Sequence, residues 1–123
     1  MTALHGIRVL ELAEGVSGEY CGKLLSDFGA EIIKVERPGC GSPTRSLGPF
    51  VNGSAGMESS GLFAYLNTNK RSIELDLTSA AGQETLQRAL QHVHAVIDDH
   101  NADWLAQMGL SAEALHQTHP TLV

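Results

Sequence analysis

Four cations lie in or beside one glycine-rich stretch of this sequence, where they could serve a single ligand. They are Arg37, Arg45, Lys70 and Arg71. The chain carries eight basic residues against 14 acidic ones, with a net charge of −6. A loop that gathers half of the positive charge would bind an anion, although solvated loop charges are the plainer interpretation. The acidic balance argues against nucleic acid as the main partner, because phosphate backbones need a basic surface.

Polar residues also follow the segments that resemble strands. Open α/β sheets bind ligands beyond the carboxyl ends of their strands. The candidates at those ends are the turn at residues 14–18, Glu36 with Arg37, and the run Asp98, Asp99 and His100. Free N–H groups where a helix begins, near Ser17, could hold an anion. Glu19 in the same first turn suits the helix dipole but opposes an anionic ligand.

Signatures of a nucleophile or a metal site are weak. The sequence has no G-x-S-x-G turn, and neither Cys21 nor Cys40 has a neighbouring base. Histidines and an aspartate crowd together at positions 92, 94, 98 and 100, but a strand through them would scatter the set, so we predict no metal. The cysteines lack C-x-x-C spacing and are expected to be free thiols.

The hydrophobic pattern predicts alternating strands and helices. Strands are expected at 7–12, 31–35, 72–77 and 95–98, and helices at 19–28, 62–66, 79–92, 104–108 and 112–117. Ser17, Ser79 and Ser111 are the predicted N-caps, and Gly29 is the predicted left-handed stop of the first helix. Residues 38–61 are rich in Gly, Pro and Ser and show no period, which is typical of a functional or mobile loop.

This order of elements predicts the α/β class. We expect a single Rossmann-like domain over residues 1–123, with an open, mostly parallel sheet and helices on both faces. Residues 121–123 resemble the opening of a further strand, so the domain is expected to be truncated at its C-terminus. No apolar run approaches a membrane span and no signal peptide is evident, so we expect a cytoplasmic protein.

A nicotinamide-dinucleotide-binding domain is one alternative. Glu36 follows the glycine turn by about 20 residues, as the ribose-binding acid of such domains does. The turn is Gly15-x-x-Gly18, however, and not G-x-G-x-x-G. Arg37 and Pro38, directly after Glu36, also fit this interpretation poorly.

Several segments in order resemble the class III CoA-transferases. The family includes formyl-CoA transferase, L-carnitine CoA-transferase and dehydratase, bile-acid-inducible protein F and α-methylacyl-CoA racemase. The segments are LHGIRVLEL (4–12), LLSDFGAEIIKVERPG (24–39), LNTNKRSIELDL (66–77) and MGL (108–110), with His119-Pro120 after them. They cover nearly the whole chain.

The resemblance implies that the domain binds a coenzyme A thioester, for CoA transfer between an acyl-CoA and a carboxylic acid or for acyl-CoA racemisation. It places Arg37 against the adenine and a phosphate, since a guanidinium stacks on aromatic faces and pairs with phosphate. It implies that Lys70 and Arg71 supply positive charge to the phosphates. The implied coenzyme A site comprises Val16, Arg37, Leu66, Asn67, Lys70, Arg71, Asp99 and His100.

Two departures from the family pattern add negative charge. Residues 98–103 read DDHNAD where the family commonly has ENFRPG, and Glu19 stands where proline is usual. The family's catalytic aspartate corresponds to a position beyond Val123, so no catalytic residue is assigned and the chain alone is expected to be inactive. A degenerate, non-catalytic binding or assembly unit is therefore a second alternative. The resemblance implies that full-length family members are interlocked homodimers, whereas this chain is expected to be a monomer or a non-native dimer.

Overall fold

Four parallel strands form the centre of the domain. A computed structural model describes residues 2–123. The strands are β1 (Arg8–Glu11), β2 (Glu31–Glu36), β3 (Arg71–Glu74) and β4 (Ala95–Ile97), arranged in the order β3-β2-β1-β4. All three pairings are parallel. The order reverses at β1, which has β2 on one side and β4 on the other, so the topological switch point of a doubly wound sheet lies there. The predicted α/β class and parallel sheet are confirmed.

Five helices connect or follow the strands. They are α1 (Val16–Asp27), α2 (Gly61–Leu66), α3 (Ala80–Leu90), α4 (Ala102–Gln107) and α5 (Ala112–Thr118). The glycine-rich segment between β2 and α2 contains two short 3₁₀ turns, Pro43–Ser46 and Val51–Gly53. Within residues 2–123, the helices are too short or too polar to cross a bilayer.

The two faces of the sheet bury different kinds of side chain. On one face, Leu10 and Val35 pack with Leu86 and Leu90 of α3 and with the apolar side chains of α4 and α5. On the other face a smaller cluster forms around Val9 and Ile32, with Leu25 of α1 packed against it. Because side chains alternate along a strand, Glu11 and Lys34 also face this second side and are buried there.

The helix caps agree with the sequence except at the start of α1. Ser79 and Ser111 accept hydrogen bonds from the N–H groups of Gly82 and Ala114, as predicted. Helix α1 begins three residues before the predicted start, and Gly15 is its N-cap. Ser17 therefore lies inside the first turn, and its predicted role as a cap is wrong. Gly29 has a φ of +100°, which agrees with a left-handed stop.

Residues 121–123 form no assigned strand, although the sequence predicted the opening of one. The Val123 N–H nevertheless donates to the His94 carbonyl at 3.1 Å, and the Val123 carbonyl accepts from the Val96 N–H at 2.9 Å. These bonds place Val123 against β4, on the side away from β1.

A pair of serine-to-alanine substitutions tests the cap assignment. Ser79→Ala is expected to lower the free energy of unfolding by about 1 kcal/mol, because an N–H of α3 loses its acceptor. Ser17→Ala is the matched control and is expected to change stability little, since Ser17 is exposed within α1. Urea unfolding of both variants checks this, and equal losses would contradict the assignment.

Candidate functional site

A cleft of about 350 Å³ opens where the chain leaves β1, β2 and β3. Its walls are apolar or aromatic: Leu12, Val35, Pro38, Leu75, Leu77, Trp104 and Met108. Its polar rim consists of Glu14, Glu36, Arg37, Asp76, Thr78 and His100. Most of these residues lie within four positions after the end of a strand, because the carboxyl ends of parallel strands meet at one edge of the sheet. The cleft can therefore hold a flat, largely apolar group with polar substituents at its rim.

Arg37, Glu14 and His100 form a chain of charges along this rim. The Arg37 Nη2 donates to Glu14 Oε1 at 2.9 Å, and Nε makes an ion-pair contact of 2.7 Å with Oε2. His100 Nε2 lies 2.7 Å from Glu14 Oε1, and its Nδ1 lies 2.6 Å from Asp98 Oδ1. The side chain of Arg37 is 61% exposed, so an incoming anion can reach it.

The pKa values on the rim follow from these contacts. Burial alone would raise the pKa of Glu14, but hydrogen bonds from Arg37 and His100 outweigh burial and lower it. Burial would likewise lower the pKa of His100, but Asp98 and Glu14 raise it overall. Glu14 is thus held as a carboxylate, and the imidazolium form of His100 is favoured.

The ring of His100 also stacks on Trp104. Their ring centroids are 3.8 Å apart and their planes differ by 15°. Asn101 caps α4 by accepting from the Trp104 N–H at 2.8 Å, which fixes the start of the helix that carries the indole. The stack forms an aromatic wall next to the charged rim.

Asp99 turns away from the polar rim of the cleft. Its carboxylate accepts hydrogen bonds from the N–H groups of Glu14 at 2.9 Å and Gly15 at 2.6 Å. Val16, the next residue, begins α1 and has a half-exposed side chain. Of the predicted binding residues, Arg37 and His100 line the cleft, whereas Asp99 and Val16 lie at the adjoining turn.

Lys70 and Asn67 lie in a buried polar network beneath α1. Lys70 Nζ contacts Glu11 Oε1 at 2.7 Å, the Glu19 carbonyl at 2.7 Å and Asn67 Oδ1 at 2.9 Å. The Asn67 amide donates to Glu19 Oε2 at 3.0 Å. The Lys70 side chain is only 2% exposed, and burial lowers its pKa despite its acidic partner. All three of its donor positions are used inside the protein.

The remaining predicted cations, Arg45 and Arg71, do not line the cleft. Arg71 begins β3, at the amino-terminal edge of the sheet, where it pairs with Glu31 at 3.1 Å. Arg45 pairs with Glu36 through two contacts of 2.8 Å. Leu66 is buried at 2% exposure. The expected gathering of four cations around one ligand is therefore not what the structure shows, and only Arg37 lines the cleft.

Residues 75–78 and Trp104 are cleft residues that the sequence reasoning missed. The pattern extended β3 to residue 77, but the strand ends at Glu74, so the next four residues leave the sheet at its carboxyl edge. A prediction that ended β3 at residue 74 would have placed residues 75–78 at the carboxyl edge of the sheet, where ligands bind in α/β proteins. Among residues 2–123, no group of three or more acidic, His or Cys side chains is arranged to hold a metal.

The sheet order and the cleft at its carboxyl edge define a Rossmann-like α/β domain with a candidate ligand site at that edge. The family model for CoA-transferase family III matches residues 4–123. The chain belongs to this family, which confirms the resemblance found in the sequence.

Similar sequences and solved structures support the same family assignment. The chain is 39% identical over 120 residues to the succinyl-CoA–D-citramalate CoA-transferase of Chloroflexus aurantiacus, covering 98% of this chain and 29% of the relative. It is 36% identical over 121 residues to the formyl-CoA:oxalate CoA-transferase of Afipia carboxidovorans, with coverages of 98% and 28%. The crystal structure of a CaiB/BaiF family protein from Brucella suis superposes with a TM-score of 0.87 at 36% identity, covering 99% and 32%. The chain thus spans less than a third of the length of these proteins.

Proposed function

We propose that this chain binds the nucleotide part of a coenzyme A thioester, in a protein that transfers CoA between carboxylic acids. The observation that carries the proposal is the cleft, where apolar and aromatic walls meet the exposed guanidinium of Arg37. The relatives reported above are named for CoA transfer, which favours transfer over racemisation.

The chemistry of the cleft suits this ligand. A purine ring is flat and largely apolar, which matches walls built from Leu75, Leu77 and Trp104. A phosphate beside it would meet Arg37, whose planar guanidinium pairs with phosphate oxygens. The guanidinium of Arg37 already pairs with Glu14, so a phosphate must compete with this carboxylate for Arg37. His100 offers Glu14 a second partner and so reduces the cost of the exchange.

The size of the cleft limits what it holds. A volume of about 350 Å³ lies at the lower end of small-molecule sites, so it would enclose the base and its nearest substituents and leave the longer arm outside. We assign binding, and no catalytic step, to residues of this chain. A carboxylic acid partner, a cytoplasmic location and a homodimeric full-length protein are parts of the proposal that follow from the family.

Two arginine substitutions test the proposal by calorimetric titration with coenzyme A at low salt. Arg37→Ala is expected to weaken binding by more than tenfold, because a charge-assisted phosphate contact is lost. Arg71→Ala removes the same charge at the opposite edge of the sheet and is expected to leave the affinity within about twofold.

Comparison with 3′-dephospho-CoA shows which phosphate Arg37 binds. If Arg37 pairs with the 3′-phosphate, the wild-type chain binds dephospho-CoA more weakly than CoA, and Arg37→Ala binds both equally. Unchanged CoA affinity in Arg37→Ala, or an equal loss in Arg71→Ala, would contradict the proposed site.

A further inference from the structure

The solvent-facing side of α1 carries large apolar residues along its whole length. They recur at every fourth position, from the first residue of the helix to its C-cap: Val16, Tyr20, Leu24 and Phe28. Each of these side chains is between 41% and 59% exposed. Residues four apart are neighbours on a helix surface, so the four side chains form one continuous ridge. Surface helices of globular proteins instead present charged and polar residues to solvent.

The buried side of the same helix is small and polar. Its buried residues are Gly18, Glu19, Gly22 and Ser26. Glu19 contacts Lys34 at 2.9 Å, and the Ser26 hydroxyl donates to the Thr68 carbonyl at 3.2 Å. The amphipathic pattern of α1 is thus reversed, with its apolar side turned outward. A contiguous apolar patch of this kind is typical of an interaction surface.

Tyr65 of α2 enlarges this patch, and the charges beside it are already neutralised. The Tyr65 side chain is 56% exposed, and the Lys23 ammonium lies 4.9 Å from the centroid of its ring. Lys23 also pairs with Asp27 at 3.0 Å. The ridge and Tyr65 together are called the α1 face below. Two such faces can meet without opposing these charges to one another, although each chain has a net charge of −6.

The ridge is complementary to itself about the middle of α1. A twofold axis between Tyr20 and Leu24 would set Tyr20 of one copy against Leu24 of the other. The same axis would set Val16 against Phe28, so each aromatic ring would face an aliphatic side chain. An i, i+4 ridge packs beside the same ridge of a second helix with the axes about 8–10 Å apart. Contact of one patch with its own copy is the arrangement of a twofold dimer.

The area of the α1 face suits a weak dimer. Aromatic side chains offer about 200 Å² each, so at the observed exposures the five residues present about 450 Å² of apolar surface per copy. Two copies with a rim of polar neighbours would bury slightly more than about 1,000 Å², which is the lower limit of a specific interface. A lipid surface fits less well, because interfacial helices rely on free lysines and arginines beside their apolar side.

We infer that the α1 face is the contact surface of a reversible homodimer of this chain, formed by twofold packing of α1 against α1. The dimer exposes less apolar surface than the monomer and leaves the Lys23–Asp27 pair at its rim. The inference goes beyond the proposed function and does not depend on it, because it concerns the outer side of α1 alone.

Sedimentation equilibrium under reducing conditions tests the dimer. The wild-type chain is expected to show a monomer–dimer equilibrium with a dissociation constant in the micromolar range, as its small interface implies. Leu24→Glu is expected to weaken the dimer at least tenfold, because an unpaired charge would be buried in the contact. Ala81→Glu adds the same charge to the exposed side of α3, which packs on the opposite face of the sheet. It is expected to leave the dissociation constant within about twofold of the wild type.

Crosslinking locates the contact without disturbing the ridge, so it also decides the matter if Leu24→Glu does not fold. Cys21 and Cys40 are both exposed, and Cys21 lies near the middle of α1 next to Tyr20. With a short bis-maleimide, Cys40→Ser is expected to give a covalent dimer through Cys21. Cys21→Ser, which keeps Cys40, is expected to remain uncrosslinked.

Four outcomes would overturn the inference. They are a wild-type chain that stays monomeric at high micromolar concentration, equal dissociation constants in wild type and Leu24→Glu, an equal loss in Ala81→Glu, and crosslinking through Cys40 but not Cys21. A chain that stays monomeric but sediments with phosphatidylcholine vesicles would assign the α1 face to lipid instead, and would also overturn it.

Discussion

Replacement of Lys34 by methionine is expected to lower the free energy of unfolding by about 3–5 kcal/mol, because it removes one of the two cations that neutralise two buried carboxylates. Lys34 is 1% exposed, and its Nζ contacts Glu11 Oε2 at 3.0 Å, Glu19 Oε1 at 2.9 Å and the Ala13 carbonyl at 3.1 Å. Both carboxylates are fully buried. In the variant, Lys70 would be the one ammonium left in a buried cluster with two acids.

Lys23→Met is the matched control. Lys23 pairs with Asp27 at 3.0 Å along α1, and their side chains are 13% and 40% exposed. A single i, i+4 pair with one partner open to solvent contributes less than about 1 kcal/mol, so the control is expected to remain near wild-type stability. Urea unfolding at neutral pH measures both variants, and similar losses would refute the importance of the buried network.

The pH dependence of Lys34→Met distinguishes electrostatics from lost packing. Burial raises the pKa of Glu11 even in the wild type, where Lys34 and Lys70 oppose the shift. Without Lys34, the protonated form of a buried carboxyl is favoured further. An acid whose pKa is raised by folding costs stability above its unfolded pKa, so the deficit of the variant should shrink as the pH falls. A deficit that does not change with pH would indicate a packing defect instead.

The elements of this fold were predictable because each carries a local signal. The β-branched runs of β1 and β2, the serine caps of α3 and α5 and the glycine after α1 depend on neighbouring residues alone. The buried network depends on distant ones. Glu11 lies opposite Lys34 in the sheet register, and Lys70 reaches Glu11 across 59 positions of sequence. A charged residue on a central strand indicates such a network only when the register and the covering helix are known.

The site was predictable where its residues come soon after a predicted strand, because ligands of α/β sheets bind beyond the carboxyl ends of the strands. Arg37 and His100 each lie two residues after a segment predicted as a strand, and both line the cleft. The cation cluster of residues 37–71 was misleading because closeness in sequence is not closeness in space. Lys70 directly precedes β3 and Arg71 is its first residue, so their backbones lie at the amino-terminal end of that strand, opposite the cleft. Because β3 runs parallel to β2, the start of β3 and the end of β2 lie at opposite edges of the sheet. The direction of β3 therefore places the backbones of Lys70 and Arg71 at the edge away from Arg37.

Glu36→Gln is expected to remove an acid-sensitive part of the stability. The pKa of Glu36 is lowered from its usual 4.5 to about 2: burial opposes the shift, but bonds from Arg45, Ser72 and the Ser42 N–H outweigh it. A carboxyl whose pKa is lowered by folding stabilises the protein fully above its unfolded pKa, and the contribution is lost as the pH falls toward the folded value. The wild type should therefore lose about 2–3 kcal/mol from this group between pH ~4.5 and ~2.

Urea unfolding across that pH range tests this expectation. Glu36→Gln should be less stable than the wild type at neutral pH, and the difference should fade toward pH ~2, where the wild-type carboxyl is also neutral. Glu58→Gln is the control, because Glu58 approaches the same Arg45 at 3.6 Å but its side chain is 90% exposed. It is expected to follow the wild-type curve. A difference between wild type and Glu36→Gln that stays constant with pH would contradict the assigned pKa.

Glu36 also connects the glycine-rich loop to the site. Arg45 binds this carboxylate, donates to the Met57 carbonyl at 2.7 Å and lies 3.8 Å above the ring of Phe63. The Glu36 carboxylate thus fixes Arg45, which in turn contacts residues near the far end of the loop, and the residue after Glu36 is Arg37. Loss of this anchor should loosen the backbone that carries Arg37. We therefore expect Glu36→Gln to weaken coenzyme A binding as well, and Glu58→Gln to leave it unchanged.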